Sequence, residues 1–128
     1  MSTSTKGRTY DENIKQLYEI MNLEKNWNGH NADPIPESVI ANAHDLLDKV
    51  KDTNPGIFPT ASSSVQFEWY NDHDAYLEVE IMEKDIVVLF STKNGDKPET
   101  SVFHKEIAFD VIEIDDYVKR FLNGEHLL

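Results

Sequence analysis

The apolar positions of this chain change period twice. From Asp11 onward, Ile14, Leu17, Tyr18 and Met21 fall at i, i+3, i+4 and i+7, the spacing of one helical face. Asp11 and Glu12 suit the N-terminal end of that helix dipole and Lys25 the C-terminal end. The helix is expected to stop near Asn26, because Asn26-Trp27-Asn28-Gly29 is turn chemistry with Gly29 available for positive φ. A second helix is predicted from Pro36, whose missing N–H costs nothing in a first turn. Its stripe is Ile40, Ala43, Leu47 and Val50, and Asn54-Pro55-Gly56 breaks it.

After Gly56 the period falls to two. Ile57 to Thr60 reads as a short strand that Pro59 confines to a sheet edge or a strand end. Val65, Phe67 and Trp69 alternate with Gln66, Glu68 and Tyr70, and Leu77, Val79 and Ile81 alternate with Glu78, Glu80 and Met82. Asn71-Asp72-His73-Asp74 joins the two runs as a hairpin loop. Ile86 to Phe90 is continuously apolar, which suits a more central strand. Asn94-Gly95 signals a tight turn into a weaker strand around Thr100 to His104. Helical spacing then returns in Val111, Ile114, Tyr117, Val118, Phe121 and Leu122, with Lys119 and Arg120 suiting the C-terminus and Gly124 as the residue after it. The expected fold is α+β, with an antiparallel sheet of four or five strands. Two N-terminal helices and one C-terminal helix pack on one of its faces. Residues 1–9, rich in Ser, Thr and Lys, read as a flexible arm, and residues 10–128 as a single domain.

Parity sets the register of the central hairpin. Directly opposed residues of paired strands share a face, so the apolar sets of both strands point to one side only if Trp69 opposes Leu77, Phe67 opposes Val79 and Val65 opposes Ile81. The same register places Glu68 opposite Glu78 and Gln66 opposite Glu80 on the outer face. Two carboxylates about 5 Å apart repel by about 1 kcal/mol in water and about 3 kcal/mol at an effective dielectric near 20. Tyr70, Tyr76 and Met82 point the same way, and either Val87 and Leu89 or Ile86, Val88 and Phe90 must join them. Two readings of this face stand. It is a solvated surface that tolerates the repulsion, or it is a docking surface on which an incoming Lys or Arg relieves it. On the second reading the partner-binding residues are Gln66, Glu68, Tyr70, Tyr76, Glu78, Glu80 and Met82.

The segment from Leu23 to about Phe90 resembles a family of small uncharacterised bacterial and phage-encoded proteins. The resemblance is carried by Asn26-Trp27-Asn28-Gly29, Ala32-Asp33-Pro34-Ile35, Pro59-Thr60, and Val65-Gln66-Phe67-Glu68-Trp69 followed by Leu77-Glu78-Val79-Glu80-Ile81. Two departures stand out. The loop before the Trp69 strand is Ala61-Ser62-Ser63-Ser64 where the family usually has glycine. His30 and Asn31 stand where it often has an aromatic residue and a glycine. The resemblance implies no established activity and therefore transfers no catalytic residue.

Charge narrows the partners. With 24 acids against 12 bases in 128 residues, the net charge is −12. Nucleic acid and anionic membranes both call for basic patches, so neither is expected as a direct partner. No apolar run approaches the ~20 residues of a membrane helix, and polar Met1 to Arg8 lacks the apolar core of a signal peptide. A cytoplasmic location is expected. The absence of cysteine removes disulfides and thiolate metal sites. Acids concentrate in Glu68 to Asp85 and in Asp110 to Asp116. Were both on one side, they would imitate the phosphate spacing of nucleic acid.

Candidates for chemistry are few. His44 and Asp48, at i and i+4 on a helix, have the spacing of a metal-ligand pair but are more simply a solvated pair. Asp72-His73-Asp74 has a metal-like composition without the spacing or glycine of a calcium loop. There is no nucleophile elbow, P-loop or dinucleotide fingerprint. Trp27 is expected to plug the space between helices and sheet with its indole N–H on a carbonyl, and Trp69 to lie in the core. No catalytic residue, metal or cofactor is expected. The leading expectation is a non-enzymatic protein that docks a basic protein partner in an antitoxin, immunity or phage-inhibitor role. The alternatives are a DNA mimic that inhibits a nuclease or other DNA-binding protein, and a small metal-dependent or acid/base hydrolase. An unpaired edge strand also makes a homodimer an expected possibility.

Overall fold

Thr9 opens the first helix through a reciprocal cap. Its hydroxyl accepts from the Glu12 N–H at 3.2 Å, and the Glu12 carboxylate accepts from the Thr9 N–H at 2.9 Å. Those bonds hold the Glu12 carboxyl below its ordinary range. The helix, α1, spans Tyr10–Met21. It ends five residues before the expected stop at Asn26. Asn22 closes it, its backbone N–H reaching the Tyr18 and Glu19 carbonyls and its side-chain amide donating to the Tyr18 carbonyl at 3.0 Å. Lys25 is therefore off the helix and pairs with Asp33 at 2.6 Å.

The face that α1 buries is also rotated from the expected stripe. Asn13, Leu17 and Ile20 are buried, whereas Tyr18 and Met21 are exposed. The physical reason is Asn13. Its side-chain amide donates to the Arg8 carbonyl at 3.1 Å and the Pro55 carbonyl at 2.9 Å, which turns this polar residue inward. Gly7 packs against the Asn54–Pro55 backbone so closely that a Cβ there would overlap the Asn54 carbonyl. Arg8 and Thr9 are likewise tied down, so of the expected arm residues 7–9 belong to the fold.

The structure is a computed structural model that describes residues 7–71, 75–91 and 114–125 with their side chains, and 92–94, 97–106 and 111–113 by their backbone. Helix α2 spans Glu37–Lys49 with Pro36 as its cap and buries Val39, Ile40, Ala43, Leu46 and Leu47. A short 3-10 turn, Lys51–Thr53, and left-handed Asn54 lead into the sheet. The strands are β1 Gly56–Thr60, β2 Ser64–Tyr70, β3 Tyr76–Ile81, β4 Asp85–Asn94 and β5 Lys97–Glu106, in the spatial order β1-β2-β3-β4-β5 with every pair antiparallel. Helix α3, Val111–Leu122, follows, and Gly124 takes φ 84° after it. The fold class is α+β, with the three helices on one face of the sheet.

The hairpin register is the one parity dictates. Val65 opposes Ile81, Phe67 opposes Val79 and Trp69 opposes Leu77. These six, with Ile57, Ile86, Val88 and Phe90, form the sheet side of the core against Leu17, Ile20, Ile40, Leu47, Ile114, Val118 and Phe121. Trp69 stacks on Phe67 with ring centroids 5.9 Å apart, and its indole N–H donates to the Thr53 hydroxyl at 2.9 Å. Trp27 departs from its expected place. It is half-buried and outside the core, its indole donating to the Asp33 carbonyl within its own loop at 2.9 Å. Polar bonding inside that loop, including Asn28 Oδ1 accepting from the His30 and Ala32 N–H groups, closes it without a plug.

Pro59 lies on the edge strand, as expected. The outward Ile57 carbonyl accepts from the Arg8 guanidinium at 3.3 Å and the Gln16 amide at 3.4 Å, and Pro59 has no N–H to offer. The Ile57 carbonyl and the Pro59 nitrogen are thereby unavailable to an added strand at the β1 margin.

Candidate functional site

Alternation along β2, β3 and β4 builds the face opposite the helices. With Ile86, Val88 and Phe90 buried, Val87 and Leu89 turn outward. Successive rungs across that face pair Tyr70 with Tyr76, Glu68 with Glu78 and Gln66 with Glu80. On the far side of β3, Glu78 opposes Leu89 and Glu80 opposes Val87. The strand pattern thus brings six of the seven expected partner-binding residues onto one surface. Met82 lies one residue beyond β3, in the turn to β4, where its N–H donates to the Asp85 carbonyl at 2.9 Å. Carboxylates and apolar side chains alternate across the strands.

Each glutamate is served by a neutral donor. Gln66 Nε2 donates to Glu68 Oε2 at 2.7 Å, the Tyr76 hydroxyl to Glu78 Oε1 at 2.6 Å, and Ser64 Oγ to Glu80 Oε2 at 2.6 Å. Thr60 and Ser64 share a further hydroxyl contact. Among the described residues no Lys or Arg forms an ion pair with Glu68, Glu78 or Glu80. Among the residues with described side chains, the charges of Glu68, Glu78 and Glu80 are therefore ordered by neutral donors and have no cation beside them. Neutral donors orient a carboxylate without cancelling its field.

The field is visible in the tyrosines. Burial and the hydrogen bond to Glu78, reinforced by the charges of Glu78 and Glu68, push the Tyr76 hydroxyl far above the ordinary phenol value. Burial, then Glu68 and Glu78, raises Tyr70. The two rings lie 5.0 Å apart, tilted by 50°, and Tyr70 is 45% exposed.

Sequence reasoning missed two features. Phe58 is exposed on the same outer face opposite Gln66, and Arg8 sits over its ring at 5.4 Å. Pro59 had drawn attention to this strand as an edge, and only the register shows which way Phe58 points. The second feature is a groove of about 360 Å³ between α1 and α2, lined by Ile14, Leu17, Tyr18, Met21, Ile40 and His44 among others. Its signal is the apolar spacing of Ile14, Leu17, Tyr18 and Met21 along one helical face of α1. Because Asn13 and Ile20 take the inward side, Tyr18 and Met21 line this groove.

The remaining candidates separate from the sheet face. His44 lies 3.5 Å from Asp48, both half exposed, and the other Asp48 oxygen accepts from the Tyr10 hydroxyl at 2.6 Å, raising that phenol. Among the described residues no group of three or more His, Asp or Glu converges as a metal site. Asp72-His73-Asp74 lies outside the described residues. Of the second acidic segment, Asp110 lies outside the described residues. Asp115 pairs with Lys119 at 3.0 Å and Asp116 with Arg120 at 3.6 Å along α3, in the helix layer, so these two acids do not share a side with Glu68, Glu78 and Glu80. No described helix is long and apolar enough to cross a membrane. No family model, curated protein or solved structure matches the chain.

Proposed function

We propose that this protein is a non-enzymatic binding protein that docks a basic protein partner on the outer face of its sheet, in an antitoxin, immunity or phage-inhibitor role. The observation that carries the reading is the set Glu68, Glu78 and Glu80, ordered by Gln66, Tyr76 and Ser64 and left without a cation among the described residues. Tyr70, Tyr76, Val87 and Leu89 lie among them, and a face of mixed acids, tyrosines and aliphatics has the composition of a recognition surface. An incoming cation relieves the Glu68–Glu78 opposition, which adds to its attraction.

The DNA-mimic alternative draws less support, because it needs both acidic segments on one side and Asp115 and Asp116 carry their own counter-charges on α3. A hydrolase reading draws less still. The groove between α1 and α2 is mostly apolar, with Glu37 and His44 as its ionisable lining, and lies in the helix layer, on the other side of the sheet from Glu68, Glu78 and Glu80. A homodimer built by strand addition would use β5, since the Ile57 carbonyl and the Pro59 nitrogen are unavailable at the β1 margin.

The test uses paired baits, the native chain and the Glu68→Lys/Glu80→Lys variant, in affinity capture from the native host followed by identification of the retained proteins. A basic protein held by the native chain and lost by the folded variant supports the reading. Identical capture by both baits removes the sheet face from consideration.

A further inference from the structure

The tyrosine rung at the end of the hairpin has a geometry that a general acidic surface does not need. Tyr70 and Tyr76 are directly opposed, and the next rung on the same face is Glu68 opposite Glu78. Same-face rungs lie roughly 7 Å apart along a strand. A flat cation resting on the tyrosines therefore has both carboxylates within reach. The Tyr76 hydroxyl is committed to Glu78, which holds that ring and that carboxylate in place together. Tyr70 keeps much of its ring in solvent, and its hydroxyl donates to no described residue. One aromatic wall is thus fixed, one is accessible, and two oriented anions stand beside them.

Resting on the docking reading above, we propose that the Tyr70–Tyr76 rung, with Glu68 and Glu78 beside it, is the seat for a single arginine side chain of the basic partner. Arginine fits better than lysine for two reasons. Its guanidinium is planar and weakly hydrated, so it can lie on a tyrosine face while its N–H edge meets carboxylates. An ammonium is a compact, strongly hydrated charge that gains little from the ring. Cations lie over rings at two described places in the chain, Arg8 over the outward Phe58 ring at 5.4 Å while donating to the Ile57 carbonyl, and Lys51 over the Tyr10 ring at 6.0 Å, so the preference for arginine rests on its planar N–H edge, which can meet the two carboxylates from the ring. Arg8 is occupied at Phe58, and among the residues with described side chains no cation lies over the Tyr70 or Tyr76 ring.

The experiment titrates the full chain with a pentaarginine peptide and with a pentalysine peptide at equal low ionic strength, following the ring proton signals of Tyr70 and Tyr76. The arginine peptide is expected to bind about fivefold more tightly and to shift both sets of ring signals. Tyr70→Leu should bring the arginine peptide to the affinity of the lysine peptide while leaving the latter within about twofold. Tyr70→Phe, which keeps the ring, should retain the preference. Equal affinity for the two peptides in the native chain overturns the arginine seat, as does a preference that survives Tyr70→Leu. If equal binding is still lost in Glu68→Lys/Glu80→Lys, the docking face stands and only the seat has failed. If neither peptide binds in a manner that depends on those glutamates, the docking reading itself has failed and the seat with it.

Discussion

Single residues decide how this surface is held. Tyr76 is the clearest case, half-buried, donating to Glu78 and raised far above the ordinary phenol value of 10.0 by burial and by that bond. Raising a folded-state pKa means the folded chain keeps a proton that the unfolded chain gives up. The contribution is therefore whole below the unfolded value and is lost as pH climbs from there toward the folded value. Stability should fall above about pH 10, and Tyr76→Phe should flatten that alkaline limb in urea titrations across pH. An unchanged limb would mean that other groups govern it. Asn13 is the converse case, a buried polar residue whose amide joins α1 to the Arg8 and Pro55 carbonyls. Nothing in the apolar pattern marks Asn13 for burial, because its place depends on carbonyls brought to it by distant parts of the chain.

At the level of elements, the β2–β3 hairpin opposes two like charges and keeps its register because the other side of each strand is core. A slip by one residue would turn the apolar set of one strand outward, either Val65, Phe67 and Trp69 or Leu77, Val79 and Ile81. The like-charge rung is consequently a local cost that core packing outweighs. Glu68→Lys replaces repulsion across the strands with attraction and is expected to stabilise the fold by about 0.5 kcal/mol. A chemical denaturation series against the native chain measures it. A gain in stability alongside a loss of partner binding would separate recognition from folding, whereas destabilisation would mean that the Gln66–Glu68 bond supports the strand more than the opposition strains it. The helices illustrate the other half of the element problem. The spacing in α1 locates a helix, but Tyr18, Met21 and Ile20 offer two nearly equal apolar sides, and the bonds of Asn13 select between them.

The whole molecule carries a net charge of −12, and salt should act on it in two opposite directions. Screening relieves self-repulsion, so stability should rise by about 1 kcal/mol, equivalent to roughly 4 °C in Tm, between very low and physiological ionic strength. Screening also weakens attraction to a basic partner, so affinity should fall over the same range. Parallel thermal melts and binding titrations across a salt series test the pair. A melting temperature that falls with salt would mean that the molecule's own ion pairs, such as Asp115–Lys119 and Lys25–Asp33, outweigh its excess negative charge.

Periodicity by itself determined the element order, the α+β class, the two-sided character of the sheet and the pairing of Glu68 with Glu78, since each follows from local spacing and strand parity. The choice between Val87 with Leu89 and Ile86, Val88 with Phe90 as the outward set was made only in three dimensions, by which side of β4 faces the helices. So were the half-exposed seat of Trp27, the inward turn of Asn13, the occupation of the Ile57 carbonyl by Arg8 and Gln16, and the separation of Asp115 and Asp116 from Glu68, Glu78 and Glu80. The division is physical. Neighbouring residues dictate which way a side chain points relative to its own strand or helix, but the groups that satisfy or leave bare that side chain arrive from far along the chain.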